Sequence, residues 1–419
     1  MNILVLGADG FIGRHLAFGF SAAGHDVVAS ARRTKRLERM GLTCLKADLS
    51  RSEAHSPEYW KSKVIGITHV VNAAGLLNGS DEALNSVHIH APKALYEALP
   101  KDTPIVLISA ISIDQENSAF ARIRVEGEKL VHQFKGMALR PGLVLGDTSY
   151  GGSSLGRAVA AIPWVTPLID GGHQEINPIH AEDLTQVALE LLEAPKPGQT
   201  FEIGGREIVT QAEMLEGYRA WLGLPKGRKL NVPRKLANSV GRLGDALKLG
   251  PISSTFLAML DAGAVAKTSP EIQTPLRGFT EFVWHRPAGT QDIWHARLYF
   301  LAHLARLALA LLWLGSGLVG VFYPAEAILS LPATQDLPDM FALALARGGG
   351  LIDLLIGLAV FRGWHPKLWG LVQLGMVLAY TLGLTVLDPA LWALPFGGVL
   401  KNLPILVIIL IHMIFAEER

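Results

Sequence analysis

Residues 2–13, "NILVLGADGFIG", restrict the fold more than any other stretch of this chain. A short, continuously apolar run leads straight into a glycine turn, and the turn opens the helical pattern "RHLAFGFSAAG". Apolar runs of this length without alternation belong in a parallel sheet buried on both faces. Gly7, Gly10 and Gly13 form G-x-x-G-x-x-G. Gly7 allows the tight exit from the strand, Gly10 lets the backbone approach a pyrophosphate, and Gly13 lets the helix pack closely on the sheet. The phosphates then meet the free N–H groups and the positive dipole end of the helix. Three spaced glycines alone are a weak signal; a strand before them and a helix after them make it strong. Gly7, Asp9, Gly10, Phe11, Ile12, Gly13 and Arg14 are therefore expected to form a dinucleotide cradle.

Five more strands follow at βαβ spacing: "HDVVASARR", "TCLKADLS", "THVVNAAG", "PIVLISA" and "GMALRPG". Strands alternating with helices, joined by right-handed crossovers, give a doubly wound parallel α/β sheet. A ribose with a free 2′-hydroxyl usually meets an Asp or Glu at the end of the second strand. Here that strand ends in Ala31, Arg32 and Arg33. Two arginines favour a 2′-phosphate, and so NADP(H) over NAD(H), with Arg32 the first candidate; a solvated turn is the alternative. Asp48 is placed near the adenine, and Asn72, Ala73, Ala74 and Gly75 line the fourth strand's exit.

Taken together, "GADGFIG", "VVNAAG", "VLISAIS", "ALRPGLVLG" and "INPIHAEDLTQVALELL" resemble the extended or atypical short-chain dehydrogenase/reductase family, on its epimerase-like branch. The resemblance covers roughly residues 1–223 and is nearest to members that include the Rossmann accessory subunit of respiratory complex I. It implies a nucleotide-binding Rossmann fold and a Tyr-x-x-x-Lys pair that handles the proton of a carbonyl substrate. In "SAFARIRVEGEK" those two positions hold Phe120 and Arg124. Phe carries no proton, and Arg stays cationic and can still bind ribose or phosphate in a different geometry. Ser109 and Ser112 compete for the family's serine position, and Tyr150 is a further possible proton source. Asp114, Glu116 and Glu126 lie nearby without supporting spacing. The fold and nucleotide site are thus implied, and the catalytic residues remain open.

The chain is 50% hydrophobic and 18% charged, with a mean hydropathy of +0.31. The excess is concentrated beyond residue 295. Four apolar segments, Leu298–Phe322, Phe341–Phe361, Leu368–Leu387 and Phe396–Phe415, each have about the 20 residues a bilayer crossing needs. The expected architecture is a Rossmann domain (1–225), a helical substrate region and linker (226–296), and an all-α four-helix transmembrane bundle (297–419). The bundle, with "RGGGLIDLLIGLAVF" in its second span, is similar to the DoxX-like membrane family. Arg362 and Lys367 mark the second loop, whereas the first and third loops carry no Lys or Arg. The positive-inside rule then puts both termini in the cytoplasm, as expected for an inner-membrane protein without a signal peptide.

Charge within the spans is a functional expectation by default. Arg347 and Lys401 fall at similar depth, where two cations would suit a quinone oxygen or a small anion; Asp353 lies on another face of its helix, and His412 is a fourth polar group. The alternative is that each caps or joins neighbouring helices. In the linker, "VPRKLANSVGRLGDALKLG" reads as an amphipathic helix with Arg234, Lys235, Arg242 and Lys248 on its polar positions, either solvated or facing anionic lipid. A net charge of +1 points to no nucleic-acid partner. With one cysteine, Cys44, no disulfide or cysteine metal cluster is expected. The functional expectation is an NAD(P)H-dependent oxidoreductase passing reducing equivalents to a quinone-like or small lipophilic acceptor. The alternative is a nucleotide-binding scaffold or sensor without turnover.

Overall fold

A computed structural model describes the chain except residues 78, 115–117, 149–150, 248–251, 262–264, 396 and 418–419. Glu116, Tyr150 and Lys248 lie outside the described residues. The chain divides into two compact units, Met1–Ala296 and Arg297–Arg419.

In the first unit all six expected strands form: β1 (Asn2–Leu6), β2 (Asp26–Ala31), β3 (Thr43–Lys46), β4 (His69–Asn72), β5 (Ile105–Ile108) and β6 (Met137–Pro141). A seventh, β7 (Thr200–Ile203), pairs in parallel with β6 and was not foreseen. The order is β7-β6-β5-β4-β1-β2-β3, with every neighbouring pair parallel. Side chains alternate across the pleat, so Ile3 and Val5 enter one core while Leu4 and Leu6 enter the other. The first core holds Leu16, Ala17 and Phe20 of α1 (Phe11–Ala22). The second holds Leu95 of α2 (Ala91–Ala98) and the fully buried Trp60. Strand order reverses between β1 and β4, and an open α/β sheet binds ligands at the carboxyl ends beside such a switch.

Further along lie α3 (Ala119–Gln133), α4 (Ala181–Glu193) and α5 (Gln211–Trp221). A capping box opens α5: Glu213 N–H donates to the Thr210 hydroxyl, and the Glu213 carboxylate accepts from Thr210 N–H. The expected amphipathic helix forms as α6 (Arg234–Leu247) and is followed by α7 (Ser254–Asp261). A third core joins Met214, Tyr218 and Trp221 of α5 to Phe279, Phe282 and Val283, so residues 226–296 pack within the first unit.

Among the described residues, three helices are long and apolar enough to cross a membrane: α8 (Thr290–Phe322), α9 (Asp339–Arg362) and α10 (Pro366–Leu387). The fourth apolar segment differs from expectation. A 3₁₀ turn, Val399–Lys401, precedes α11 (Asn402–Phe415), which has only 14 residues. At ~1.5 Å per residue that is ~21 Å, against the ~30 Å of a bilayer core. Pro404 sits in the first turn of α11, where a missing N–H costs nothing, and Gly397 stands at φ +81° just upstream. Among the described residues the fourth expected segment is thus a shorter apolar helix than the other three.

Within the second unit α8 and α9 cross closely through small residues. A Cβ at Gly317 would lie 2.7 Å from the Gly350 carbonyl oxygen, and one at Gly320 would lie 2.9 Å from Gly350 Cα. Helices packed through glycine use dispersion rather than water release for their attraction.

Candidate functional site

The glycine turn has the geometry the spacing called for. Gly7 adopts φ +73°, and a Cβ there would lie 2.7 Å from Ala74 Cα. A Cβ at Gly13 would lie 2.2 Å from the Gly7 carbonyl oxygen, so α1 packs directly on the turn. Gly10 caps α1 without any side-chain hydrogen bond, and a Cβ there would meet only the Gly7 oxygen at 3.2 Å. No side-chain cap thus covers the N-terminus of α1, whose positive dipole end favours an anion. Arg14 donates to the Asp9 carbonyl at 2.9 Å, bracing the turn. Ile12 packs against the first core, and Phe11 stacks edge-on with His15 at 5.1 Å.

Asn72 shapes the neighbouring exit. Its Oδ1 accepts from Ala74 N–H at 3.1 Å and its amide donates to the Tyr96 hydroxyl at 2.9 Å. Ala73 N–H donates to the Leu6 carbonyl, which sets Ala73, Ala74 and Gly75 beside Gly7. Arg32 and Arg33 are exposed at the end of β2. Asp48 is half-buried after β3; burial works against its charge, but Ser50 and the Arg32 and Arg51 cations prevail and hold it below the usual carboxylate range. Arg32 therefore stands within electrostatic reach of Asp48.

Phe120 and Arg124, the residues expected at the Tyr and Lys positions, both lie on α3. Arg124 is buried on α3 and donates to the carbonyls of Ala74, at 3.5 Å, and Ile108. It also donates to His88 Nδ1 at 2.8 Å. Among the described residues its Nε has no partner. Burial pulls the guanidinium down to about 10 against the field of Glu128, so it remains a cation at neutral pH. A guanidinium only donates, so His88 Nδ1 accepts; Nε2 lies 3.0 Å from the Leu76 carbonyl and 3.2 Å from the Leu76 N. Burial and then Arg124 push His88 down to about 4. Phe120 is half-buried, edge-on to His88 at 5.9 Å. Of the two candidate serines, Ser109 is buried at the end of β5 with its hydroxyl unpartnered, whereas Ser112 is half-exposed at φ +58°.

His88 escaped sequence reasoning. It lies on one π-helical turn, Ser86–His90, feeding α2. Such bulges recur at functional sites, but two His two residues apart in "SVHIHAP" give no distinguishing signal. Its depressed pKa has a stability consequence. The unfolded chain takes up the proton below pH 6.5 and the folded one only near 4, so the stability is present above 6.5 and lost as pH falls toward 4. The full gap is worth roughly 3 kcal/mol. The thermal midpoint should fall from pH 7 to pH 5, and His88→Gln should remove part of that fall; an equal fall in both proteins would contradict this origin.

A second concavity is lined by Asp147, Arg157, His180, Tyr218 and Trp221. Its Gly146 backbone borders Phe11 and His15 of α1. Arg157, in "GGSSLGRAVAAI", is buried and donates to the Gly146 and Asp147 carbonyls at 2.7 and 3.3 Å, with Tyr218 and Trp221 against its face. Among the described residues its Nε has no partner, and the Tyr218 hydroxyl lies against the guanidinium. Asp147 pairs with Arg286 at 2.9 Å.

Within the second unit the membrane charges do not converge as two cations. Arg347 donates to the carbonyls of Gly320, Val321 and Tyr323, closing the end of α8. Lys401 is exposed, and no described contact joins it to Arg347. Asp353 is buried and accepts from the hydroxyls of Ser316, at 2.7 Å, and Tyr380, at 2.8 Å. His412 is buried on α11. Asp353→Leu should strand two hydroxyls and cost about 1–3 kcal/mol, while Asp353→Asn keeps an acceptor. Thermal unfolding of the purified protein in detergent separates the two variants.

Residues 3–112 match the NAD dependent epimerase/dehydratase family. Residues 310–410 match the DoxX-like family. A 3-diazoavenalumate denitrifying reductase from a Streptomyces species is 25% identical over 260 residues, 55% of this chain and 84% of that protein. Among solved structures, a UDP-glucuronic acid 4-epimerase from Bacillus cereus, complexed with UDP-glucuronic acid and NAD, is 17% identical. That match covers 72% of this chain and 98% of the epimerase at a TM-score of 0.49. A dTDP-glucose 4,6-dehydratase from Bacillus anthracis, complexed with NAD, is also 17% identical; 56% of this chain and 84% of the dehydratase are covered at a TM-score of 0.48. Residues 3–112 thus resemble an epimerase-type NAD-binding domain, and residues 310–410 a DoxX-like domain.

Proposed function

We propose that this chain is a membrane-anchored NAD(P)H-dependent reductase whose acceptor needs no proton from the usual tyrosine position. The observation that carries the proposal is the pair at the dyad positions. Phe120 has no proton, and Arg124 is turned back onto the Ala74 and Ile108 carbonyls and His88. His88 cannot replace the tyrosine, because both ring nitrogens are engaged and it is neutral at pH 7.

The bound dinucleotide would supply the hydride. The glycine turn and the α1 N-terminus would hold its pyrophosphate, and the shape of Gly7, Gly10 and Gly13 fits that load. Ser109 would offer its spare hydroxyl to the reacting end. A ketone demands a proton on its developing alkoxide. A quinone-like acceptor exposed to water does not demand one from the protein. The Streptomyces relative adds support: its name describes a reductase of a diazo compound, and a diazo group has no carbonyl oxygen to protonate. In this reading the membrane helices bring the enzyme to a lipophilic acceptor in a bacterial-type inner membrane, with both termini cytoplasmic.

Arg32 is proposed to select NADP(H). Arg32→Glu should weaken NADPH far more than NADH by setting like charge against the 2′-phosphate. Titration of both cofactors against wild type and variant tests this, and a wild-type preference for NADH would overturn the assignment. The test of function is NADPH oxidation by purified protein in lipid with quinone analogues. Cofactor binding without oxidation by any acceptor would favour the second reading, a nucleotide sensor, to which the withdrawn Arg124 also lends itself.

A further inference from the structure

We infer that the outer face of α6 docks onto an anionic phospholipid bilayer, so that the first unit touches the membrane with a surface of its own. The helix has three faces. Ala237, Gly241 and Gly244 are buried, the last two packed against residues 252–257. Leu236, Val240 and Leu243, at i, i+4 and i+7, are 55%, 48% and 58% exposed. Lys235, Ser239 and Arg242 are exposed on the third side. At ~100° per residue, the apolar line and the two cations are about a quarter-turn to a third of a turn apart. That spacing lets the apolar side chains enter the acyl boundary while the cations reach headgroup phosphates.

The neighbouring strand extends the surface. Residues 226–244 contain six Lys or Arg and no Asp or Glu, in a chain whose net charge is only +1. Arg228–Val232 pairs in parallel with Val165–Ile169 and leads through Pro233 directly into α6. Leu230 is exposed in the middle of that ribbon. Trp164, at its start, is 85% exposed and stands at φ +63°. Positive φ is a true outlier for so bulky a residue, and exposed Trp is favoured at membrane–water interfaces. Some of the positive charge is balanced locally: Lys229 pairs with Glu216 at 2.6 Å, and Arg234 pairs with Asp261. Lys226, Arg228, Lys235 and Arg242 are exposed with no ion pair among the described residues.

Charge of one sign beside an apolar line fits a negative, fluid, apolar partner. Chain continuity supplies that partner, because α8, long enough to cross a bilayer, starts at Thr290. A second copy of this chain is a poorer fit, since it would set this basic segment against its own duplicate or against a near-neutral surface.

The test uses the full chain with Cys44→Ser, reconstituted into vesicles of phosphatidylcholine alone or with phosphatidylglycerol at about three to one. A fluorophore is placed at Val240→Cys, with Asn238→Cys as the polar-side control. In the anionic vesicles the Val240 label should be quenched by a lipid-borne nitroxide and shielded from aqueous iodide, and the Asn238 label should show the reverse. Lys235→Gln with Arg242→Gln should shift the docked-to-free ratio about 30-fold, at ~5-fold per basic residue. High salt should act in the same direction. Equal iodide access at both positions in anionic vesicles would overturn the inference. So would a Val240 label shielded from iodide but untouched by the lipid nitroxide, which would mean that protein covers this face.

Discussion

Gly10→Val should abolish NAD(P)H binding while the first unit stays folded, and Gly13→Val should unfold that unit. The two glycines share a turn but meet different surroundings. A Cβ at Gly10 meets only the Gly7 oxygen at 3.2 Å, a contact that relaxes by a few tenths of an ångström. The valine would then occupy the space in front of the α1 N-terminus, where the pyrophosphate is expected. Losing two charge-assisted hydrogen bonds there weakens binding by about 10² or more. At Gly13 the Cβ lies 2.2 Å from the Gly7 carbonyl oxygen and 2.7 Å from its carbonyl carbon. Neither backbone atom can move without displacing β1, so the cost is about 3 kcal/mol or more, a large part of a domain's stability. Calorimetric titration and thermal unfolding separate the outcomes. Unchanged affinity in a folded Gly10→Val protein would contradict the cradle.

The wild-type protein should not turn over ketones or secondary alcohols at ordinary enzyme rates. General acid–base catalysis is worth about 10² to 10⁴, and the phenyl ring of Phe120 contributes none of it. From sequence alone, restoring the pair as Phe120→Tyr with Arg124→Lys looks harmless. Arg124 serves two backbone carbonyls and His88 at once, from a planar fork that an ammonium group cannot copy. The double variant should therefore lose about 1–3 kcal/mol for each buried acceptor left unpaired. Phe120→Tyr alone is the better probe: it should keep the fold and gain at most slow carbonyl reduction. Ordinary turnover by wild type would show that another group, Ser109 or Tyr150 among them, supplies the proton.

Much of the fold was legible because its signals are local. Six apolar runs bounded by turn residues became β1 to β6, and the glycine spacing matched a turn whose contacts admit no side chain at Gly7 or Gly13. What escaped depends on tertiary context. β7 reads "TFEI", half-exposed and only four residues long, and its strand character comes from pairing with β6. The short α11 follows from Pro404 and the upstream glycines, which a count of apolar residues does not weigh. Arg347 looked like half of an anion site because periodicity places it at a depth, yet its partners are carbonyls on another helix. His88 and Arg157 are single polar residues in helical runs. Only the fold brings His88 to Arg124, or sets Arg157 between Tyr218 and Trp221.

The most direct measurement is NADPH oxidation by the purified protein in lipid, with a quinone analogue and with a panel of ketones under the same conditions. Oxidation is expected with the quinone analogue, none above background with the ketones, and loss of the quinone-dependent rate in Gly10→Val. Ketone-dependent oxidation at ordinary enzyme rates, or NADPH bound but oxidised by no acceptor, would contradict the proposed function.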